Sequence, residues 1–127
     1  MRTRLILLAC LFSPLLLAGE VRILKAELEN YSGKWTVRVT LKHEDRGWKH
    51  YADAWRIVDE QGRVLATRTL HHPHDAEQPF TRSLSGIDLP AGTRLIFIEA
   101  HDTRHGWSPD RLRIDRQQRK GARYEIR

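Results

Sequence analysis

The sequence contains almost no sulfur: its one cysteine, Cys10, and its one methionine, Met1, both lie close to the N-terminus. A single cysteine excludes an intramolecular disulfide, and without further thiol or thioether groups Cu(I) would have no suitable ligands. The chain also lacks an uninterrupted apolar run of the roughly 20 residues that a membrane-spanning helix needs. We therefore expect a domain that is stabilised by its hydrophobic core alone.

The N-terminal segment has the composition of a secretory signal. Arg2 and Arg4 precede an apolar run at residues 5–18, which Ser13-Pro14 interrupts. A basic start, a short apolar core and small residues at the end are typical of a signal peptide that is removed on export. We predict cleavage near residues 18–19, a periplasmic or secreted mature chain, and no membrane span in that chain.

A lipoprotein signal is the alternative at this end. Leu7-Leu8-Ala9-Cys10 has the pattern of a bacterial lipobox, in which the cysteine is lipidated. It comes early in the apolar run, with only Leu5 and Ile6 before it. We therefore expect that Cys10 is removed with the signal peptide.

The charge pattern argues against nucleic acid as a partner. The formal net charge is +6, but Lys and Arg alternate with Asp and Glu along most of the chain. Only residues 111–127 are dense in arginine, and they include Asp115 and Glu125. No basic stripe of the kind that follows a phosphate backbone is present.

The hydrophobic pattern predicts an all-β domain. Residues 34–42 alternate strictly, with Trp35, Val37, Val39 and Leu41 on one face, as in a half-buried strand. Further strands are predicted at residues 21–29, 50–58, 63–70, 80–87 and 93–102, and a last one around Leu112 and Ile114. Turn residues separate these segments, and no stretch has a helical period. We predict an antiparallel β-sandwich of about seven strands at residues 20–115, with residues 116–127 as a basic tail or an extension of the last strand.

This order of strands resembles an immunoglobulin-like or fibronectin type III-like sandwich, with Leu89-Pro90-Ala91-Gly92 before the long apolar strand. The paired cysteines of antibody domains are absent. Residues 47–53, the segment His72-Pro73-His74 with residues 77–84, and residues 101–106 also resemble a family of small exported bacterial proteins. The resemblance implies a sandwich fold and export, and it implies no activity.

The histidines are predicted to gather at one end of the sandwich. Successive strands run in opposite directions, so alternate loops share an end. All seven histidines lie in or beside three such alternate loops: His43, His50, His71, His72, His74, His101 and His105. The loops of the opposite end contain none. This one-sided placement is the main functional signal of the sequence.

A divalent metal site is the first interpretation of this end. Neutral imidazole is a common ligand for Zn²⁺ and Cu²⁺, and carboxylates complete such sites or orient the rings. The predicted ligands are His72, His74, His101 and His105, with His50 as a further participant. The predicted supporting or partner-binding residues are Asp75, Glu77, Asp102, Trp48 and Trp107.

Two other interpretations stay open. Histidines beside aspartates, as in His101-Asp102, form structural or pH-responsive hydrogen-bond networks. Exposed aromatic residues such as Trp48 and Trp107 suit a surface that binds a periplasmic protein or a small ligand. No serine or cysteine lies in a setting typical of a nucleophile, so we expect a binding module and not an enzyme.

Overall fold

A computed structural model describes residues 20–127, which form eight β-strands. Their bounds are Arg22–Tyr31 (β1), Lys34–Lys42 (β2), Ala52–Asp59 (β3), Val64–Thr69 (β4), Phe80–Ile87 (β5), Leu95–Asp102 (β6), Gly106–Asp115 (β7) and Tyr124–Ile126 (β8). Within these residues no helix is long and apolar enough to cross a bilayer. The signal peptide predicted at residues 1–19 lies outside the described part of the chain.

The strands form two four-stranded sheets. One has the order β5-β2-β1-β8 and the other the order β4-β3-β6-β7. The all-β sandwich predicted from the alternation is confirmed, and each predicted strand is present with ends that shift by a few residues. All pairings between the first seven strands are antiparallel, whereas β8 pairs with β1 in parallel.

Period-two alternation builds the core between the sheets. In β6, Ile96, Ile98 and Ala100 are fully buried, while Phe97 lies on the outer face beneath the Arg111 guanidinium, 4.2 Å from its ring centroid. β6 lies between β3 and β7, and its apolar run suits this central position. The β-bulge after Ile23 in β1 changes the phase of the alternation, so that Ile23 and Ala26 are both buried and Leu24 is exposed.

The C-terminal segment adds the strand β8 to the sheet that contains β1. The Tyr124 side chain is buried in the core, and its hydroxyl donates a hydrogen bond to the carbonyl oxygen of Asp115. Residues 124–126 thus pair with β1 and do not extend β7. An apolar pattern of three residues is too short to reveal its partner from sequence.

Three loops meet at one end, as the predicted topology requires. They are residues 43–51, 70–79 and 103–105, which connect β2 to β3, β4 to β5 and β6 to β7. Hydrogen bonds join them: the N–H of Thr103 donates to the carbonyl of Tyr51, and the N–H of His74 donates to Asp45. We call this the loop end. Because Arg22 pairs with Lys42, β1 also begins there.

Candidate metal centre

Asp45 holds two of the loops together from inside the protein. Its side chain is completely buried, and Oδ1 accepts hydrogen bonds from Nδ1 of His43 at 2.5 Å and from the N–H of Ala52 at 3.0 Å. Its Oδ2 accepts the N–H of His74 at 2.6 Å. A buried carboxylate needs such donors, because without them its desolvation would be unfavourable. Asp45 therefore fixes both the loop path and the orientation of the His43 ring.

The side chain of Gln78 makes a second connection between the same loops. Its Oε1 accepts the N–H of His43 at 2.9 Å, and its Nε2 donates to the carbonyl of His74 at 3.1 Å. The oxygen and the nitrogen of this one amide thus each satisfy a backbone polar group of a loop. The loops that carry His43 and His74 are rigid at these positions.

Asp102 occupies the centre of the loop end. It is the last residue of β6 and continues the inward face of Ile98 and Ala100, so its side chain is fully buried. Its Oδ1 accepts the N–H groups of Arg104 at 2.8 Å and His105 at 2.6 Å. Burial by itself raises the pKa of this carboxyl, but these two bonds, together with the His105 ring, outweigh it and hold the pKa below its ordinary 3.8. Asp102 is therefore an anion at neutral pH.

Three imidazoles surround this carboxylate. Nε2 of His43 lies 3.5 Å from Oδ2 of Asp102, Nε2 of His50 lies 3.6 Å from Oδ1, and Nδ1 of His105 lies 3.0 Å from Oδ2. The His50 ring makes edge contacts with both other rings, at centroid distances of 4.8 and 5.0 Å. Ligand atoms of His43, His50 and Asp102 lie within 4.8 Å of one another, so this group could hold one metal ion.

The donor set fits a borderline divalent cation. Two to three imidazole nitrogens and one carboxylate oxygen are ligands that Zn²⁺ and Cu²⁺ accept. Asp45 contacts Nδ1 of His43, and this is the outer hydrogen bond that metal-binding histidines usually make. Nε2 of His50 is buried and makes no hydrogen bond within the described residues. The arrangement can bind a cation at the loop end.

The structure brings together only part of the predicted ligand set. His50, His105 and Asp102 meet, while His101 lies on the outer sheet face, where Nδ1 contacts Asp53 at 2.5 Å and the ring contacts Trp107. His72 and His74 lie side by side with ring centroids 4.8 Å apart, but neither contacts Asp102. Whether either group binds a metal stays a prediction.

The predicted supporting residues lie mostly at the protein surface. Asp75 accepts the N–H of Gly47 at 3.2 Å, and Glu77 pairs with Arg82 at 3.4 Å. Trp48 is 68% exposed and Trp107 is 38% exposed. Of the predicted supporting set, Asp102 alone lies in the buried cluster.

His43 is the cluster member that the predicted ligand set leaves out. A sequence signal for it exists: β2 buries Val37, Val39 and Leu41, and the next residue of the same parity is His43. The same parity in β6 places Asp102 inside and His101 outside. Extending the alternation of β2 by one residue into the following loop would have identified His43, and the alternation within β6 separates the inward Asp102 from the outward His101.

His74 is a buried histidine without hydrogen-bond partners for its ring nitrogens among the described residues. The ring stacks on Phe80 at a centroid distance of 4.1 Å. Burial, and then the charges of Arg82 and His72, lower its pKa from the ordinary 6.5, which outweighs the opposite effect of Asp45 and Glu77. His74 is therefore neutral in the folded protein at neutral pH.

Replacement of His74 by phenylalanine should reduce the sensitivity of the fold to mild acid. Because the pKa of His74 is lower folded than unfolded, the unfolded chain takes up its proton first and stability falls as the pH drops below about 6.5. His74→Phe keeps a ring against Phe80 and removes that proton. Urea unfolding at pH 7 and pH 5 should show a smaller decrease in the free energy of unfolding for this variant than for wild type. His71→Phe, at an exposed histidine, is the control. The prediction is contradicted if His74→Phe loses as much free energy of unfolding between pH 7 and pH 5 as wild type does.

Comparisons with known proteins add one relative. A protein of Halomicrobium mukohataei described as "Putative lipoprotein" is 34% identical over 97 residues, which cover 76% of this chain and 47% of that protein. The chain thus spans about half the length of the curated relative that it matches. No family model and no solved structure matches the chain. The immunoglobulin-like resemblance stays a prediction, and the comparison gives no support to the expectation that Cys10 is not lipidated.

Proposed function

We propose that this protein is an exported, non-catalytic binding domain that holds one divalent cation, Zn²⁺ or Cu²⁺, at its loop end. Export is supported by the basic and apolar N-terminal segment and by the description of the relative as a lipoprotein. The ligands in this proposal are His43, His50 and Asp102. Each comes from, or directly borders, a loop that internal hydrogen bonds hold in place.

The Nε2 atom of His50 is the observation that carries the cation proposal. It is buried, lacks a hydrogen-bond partner within the described residues, and faces an anionic carboxylate at 3.6 Å. A buried polar atom without a partner costs about 1–3 kcal/mol. A cation between His50, His43 and Asp102 removes that cost, because it accepts the lone pair of each imidazole and compensates the buried negative charge.

The ligand geometry favours binding over catalysis. The side chains of His43 and Asp102 are inaccessible to solvent, and that of His50 is 11% exposed. A catalytic metal keeps an open position for water and substrate. Such a position here would lie on the side of His105, whose side chain is 37% exposed and whose Nδ1 already contacts Asp102 at 3.0 Å.

Cation titration of the purified protein tests the proposal. The full chain is produced without an affinity tag, stripped with a chelator, and titrated with Zn²⁺ and with Cu²⁺ in a calorimeter. We expect one equivalent to bind, with NMR shifts in the ring resonances of His43 and His50. If neither ion binds, or if these resonances do not move, the cluster is a structural hydrogen-bond network and the proposal is wrong.

Lipid attachment at Cys10 is a second candidate property, which the description of the relative favours. Leu7-Leu8-Ala9-Cys10 supplies the required pattern. In a bacterial host fed radiolabelled palmitate, the wild-type chain should carry label and sediment with membranes, and Cys10→Ser should do neither. An unlabelled wild-type chain supports cleavage near residues 18–19 instead.

The division of strands supports an immunoglobulin-like assignment. β1, β2 and β5 share one sheet, and β3, β6 and β7 share the other, as the corresponding strands do in immunoglobulin domains. β4 pairs with β3 and not with β5, so it belongs to the second sheet. We infer a fibronectin type III-like member of this class.

A further inference from the structure

The described chain begins at the loop end of the sandwich. Arg22 pairs with Lys42, and the N–H groups of Val21 and Ile23 donate to Ser108 at 3.0 Å and to Asp110 at 2.8 Å. These bonds fix the start of β1 beside the loops. The preceding sequence, which includes the apolar residues 5–18, is therefore attached at the loop end.

The loop between β2 and β3 presents Trp48 to solvent at the same end. The N–H of Arg46 donates to the carbonyl of His50 at 2.7 Å, and Gly47 has a φ of +63° that suits glycine in this tight turn. The N–H of Gly47 also donates to Asp75. Trp48 is 68% exposed, the largest value among the exposed large hydrophobic residues, and its ring meets Tyr51 at 5.7 Å. The exposure is thus built into a loop with a fixed path.

Exposed cations flank Trp48. Arg46 and Lys49 are its near neighbours in the chain, and both are exposed. The exposed Glu44 lies 3.8 Å from the Arg46 guanidinium, so within residues 20–127 Lys49 and Arg104 are the cations of this group that form no ion pair with a carboxylate. Arg104 is exposed on the adjacent turn, where the hydroxyl of Thr103 donates to the carbonyl of Lys49 and accepts the N–H of Tyr51. Tryptophan and tyrosine beside lysine and arginine are enriched where proteins meet the headgroups of a bilayer.

We propose that the loop end lies against an anionic lipid surface, with Trp48 in the headgroup region and Arg46, Lys49 and Arg104 near the phosphates. The segment before residue 20, which is attached at the same end during export and which stays attached if Cys10 carries a lipid, directs this end and not the opposite one toward the membrane; in this respect the proposal rests on the lipidation candidate above. A single acyl chain gives only reversible attachment, and a second contact on the protein makes it stable. This proposal goes beyond cation binding and does not depend on it.

Vesicle binding with depth-dependent quenching tests this surface. The full chain, as the exporting bacterial host leaves it, is mixed with vesicles of phosphatidylcholine that contain either 30% phosphatidylglycerol or none, with brominated acyl chains as quenchers. We expect binding to the anionic vesicles with quenching of tryptophan fluorescence. Trp48→Phe should lose most of the quenching, whereas Trp107→Phe, which removes a tryptophan from the outer sheet face, should keep it.

Removal of one positive charge beside Trp48 is the second part of the vesicle experiment. Lys49→Ala should weaken binding to anionic vesicles about fivefold, as expected for one cation near such a surface, and should leave binding to neutral vesicles unchanged. Circular dichroism confirms that the variants are folded. The proposal is overturned if the wild-type chain does not bind anionic vesicles, or if Trp48→Phe is quenched as strongly as wild type.

Discussion

Replacement of Asp45 by alanine is expected to lower the free energy of unfolding by about 3–5 kcal/mol, because the substitution removes one partner of a buried, charged hydrogen-bond network. The carboxylate accepts hydrogen bonds from the backbone N–H groups of Ala52 and His74 and contacts Nδ1 of His43, and the Asp45 side chain is inaccessible to water. Without it, two backbone donors lose their partner inside the protein. Urea denaturation, monitored by tryptophan fluorescence, measures the change.

Asp75→Ala is the matched control for this variant. Asp75 also joins two loops, since it accepts the N–H of Gly47, but it is exposed and its bonds are 3.2 and 3.3 Å long. Water can replace such a partner, so the expected loss is below about 1 kcal/mol. Equal losses in the two variants would show that Asp45 does not organise the loop end.

Replacement of His50 by alanine is expected to weaken Zn²⁺ or Cu²⁺ binding at least about 100-fold. Changes to residues that only orient metal ligands already cost about 10–100-fold in affinity, and this variant removes a ligand outright. His50 makes ring contacts with His43 and His105 and no hydrogen bond through its buried Nε2. Calorimetric titration under conditions in which the variant is folded measures the loss.

Two control variants locate the site. His71→Ala removes an exposed histidine of the loop end and should bind as wild type does. The double variant His72→Ala, His101→Ala removes two of the ligands predicted from sequence, which the structure places outside the buried cluster. If the double variant loses affinity and His50→Ala keeps it, the cation is bound by His72 or His101 and not beside Asp102.

The fold could be predicted from sequence because strand patterns are local. Alternation in residues 34–42 needs only neighbouring residues, and turn residues delimit the strands without knowledge of their partners. β8 is a strand whose pairing with β1 could not be predicted from sequence. Its three residues carry too little pattern, and its pairing with β1 depends on the Tyr124 side chain finding space in a core built by distant strands.

The gathering of histidines at one end was also within reach of sequence, since antiparallel strands place alternate loops together. Which histidines form the buried cluster could not be predicted from sequence. His101 and His105 are separated by four positions in the chain, yet one lies on the outer sheet face and the other contacts Asp102. That division follows from strand parity at Asp102 and from the turn that its carboxylate stabilises.

The sequence by itself determined that this chain folds as an all-β sandwich and carries its histidines in or beside the loops of one end, and it predicted a secretory signal at the N-terminus, which stays a prediction. The tertiary structure decided which imidazoles face a buried carboxylate, and it placed His43 with His50 and Asp102. The physical reason lies in the range of the interactions. Alternation of apolar residues acts between neighbours in the chain. The orientation of the His43 ring depends on Asp45, and the relative position of the loops depends on hydrogen bonds of Asp45 and Gln78 that join segments distant in sequence.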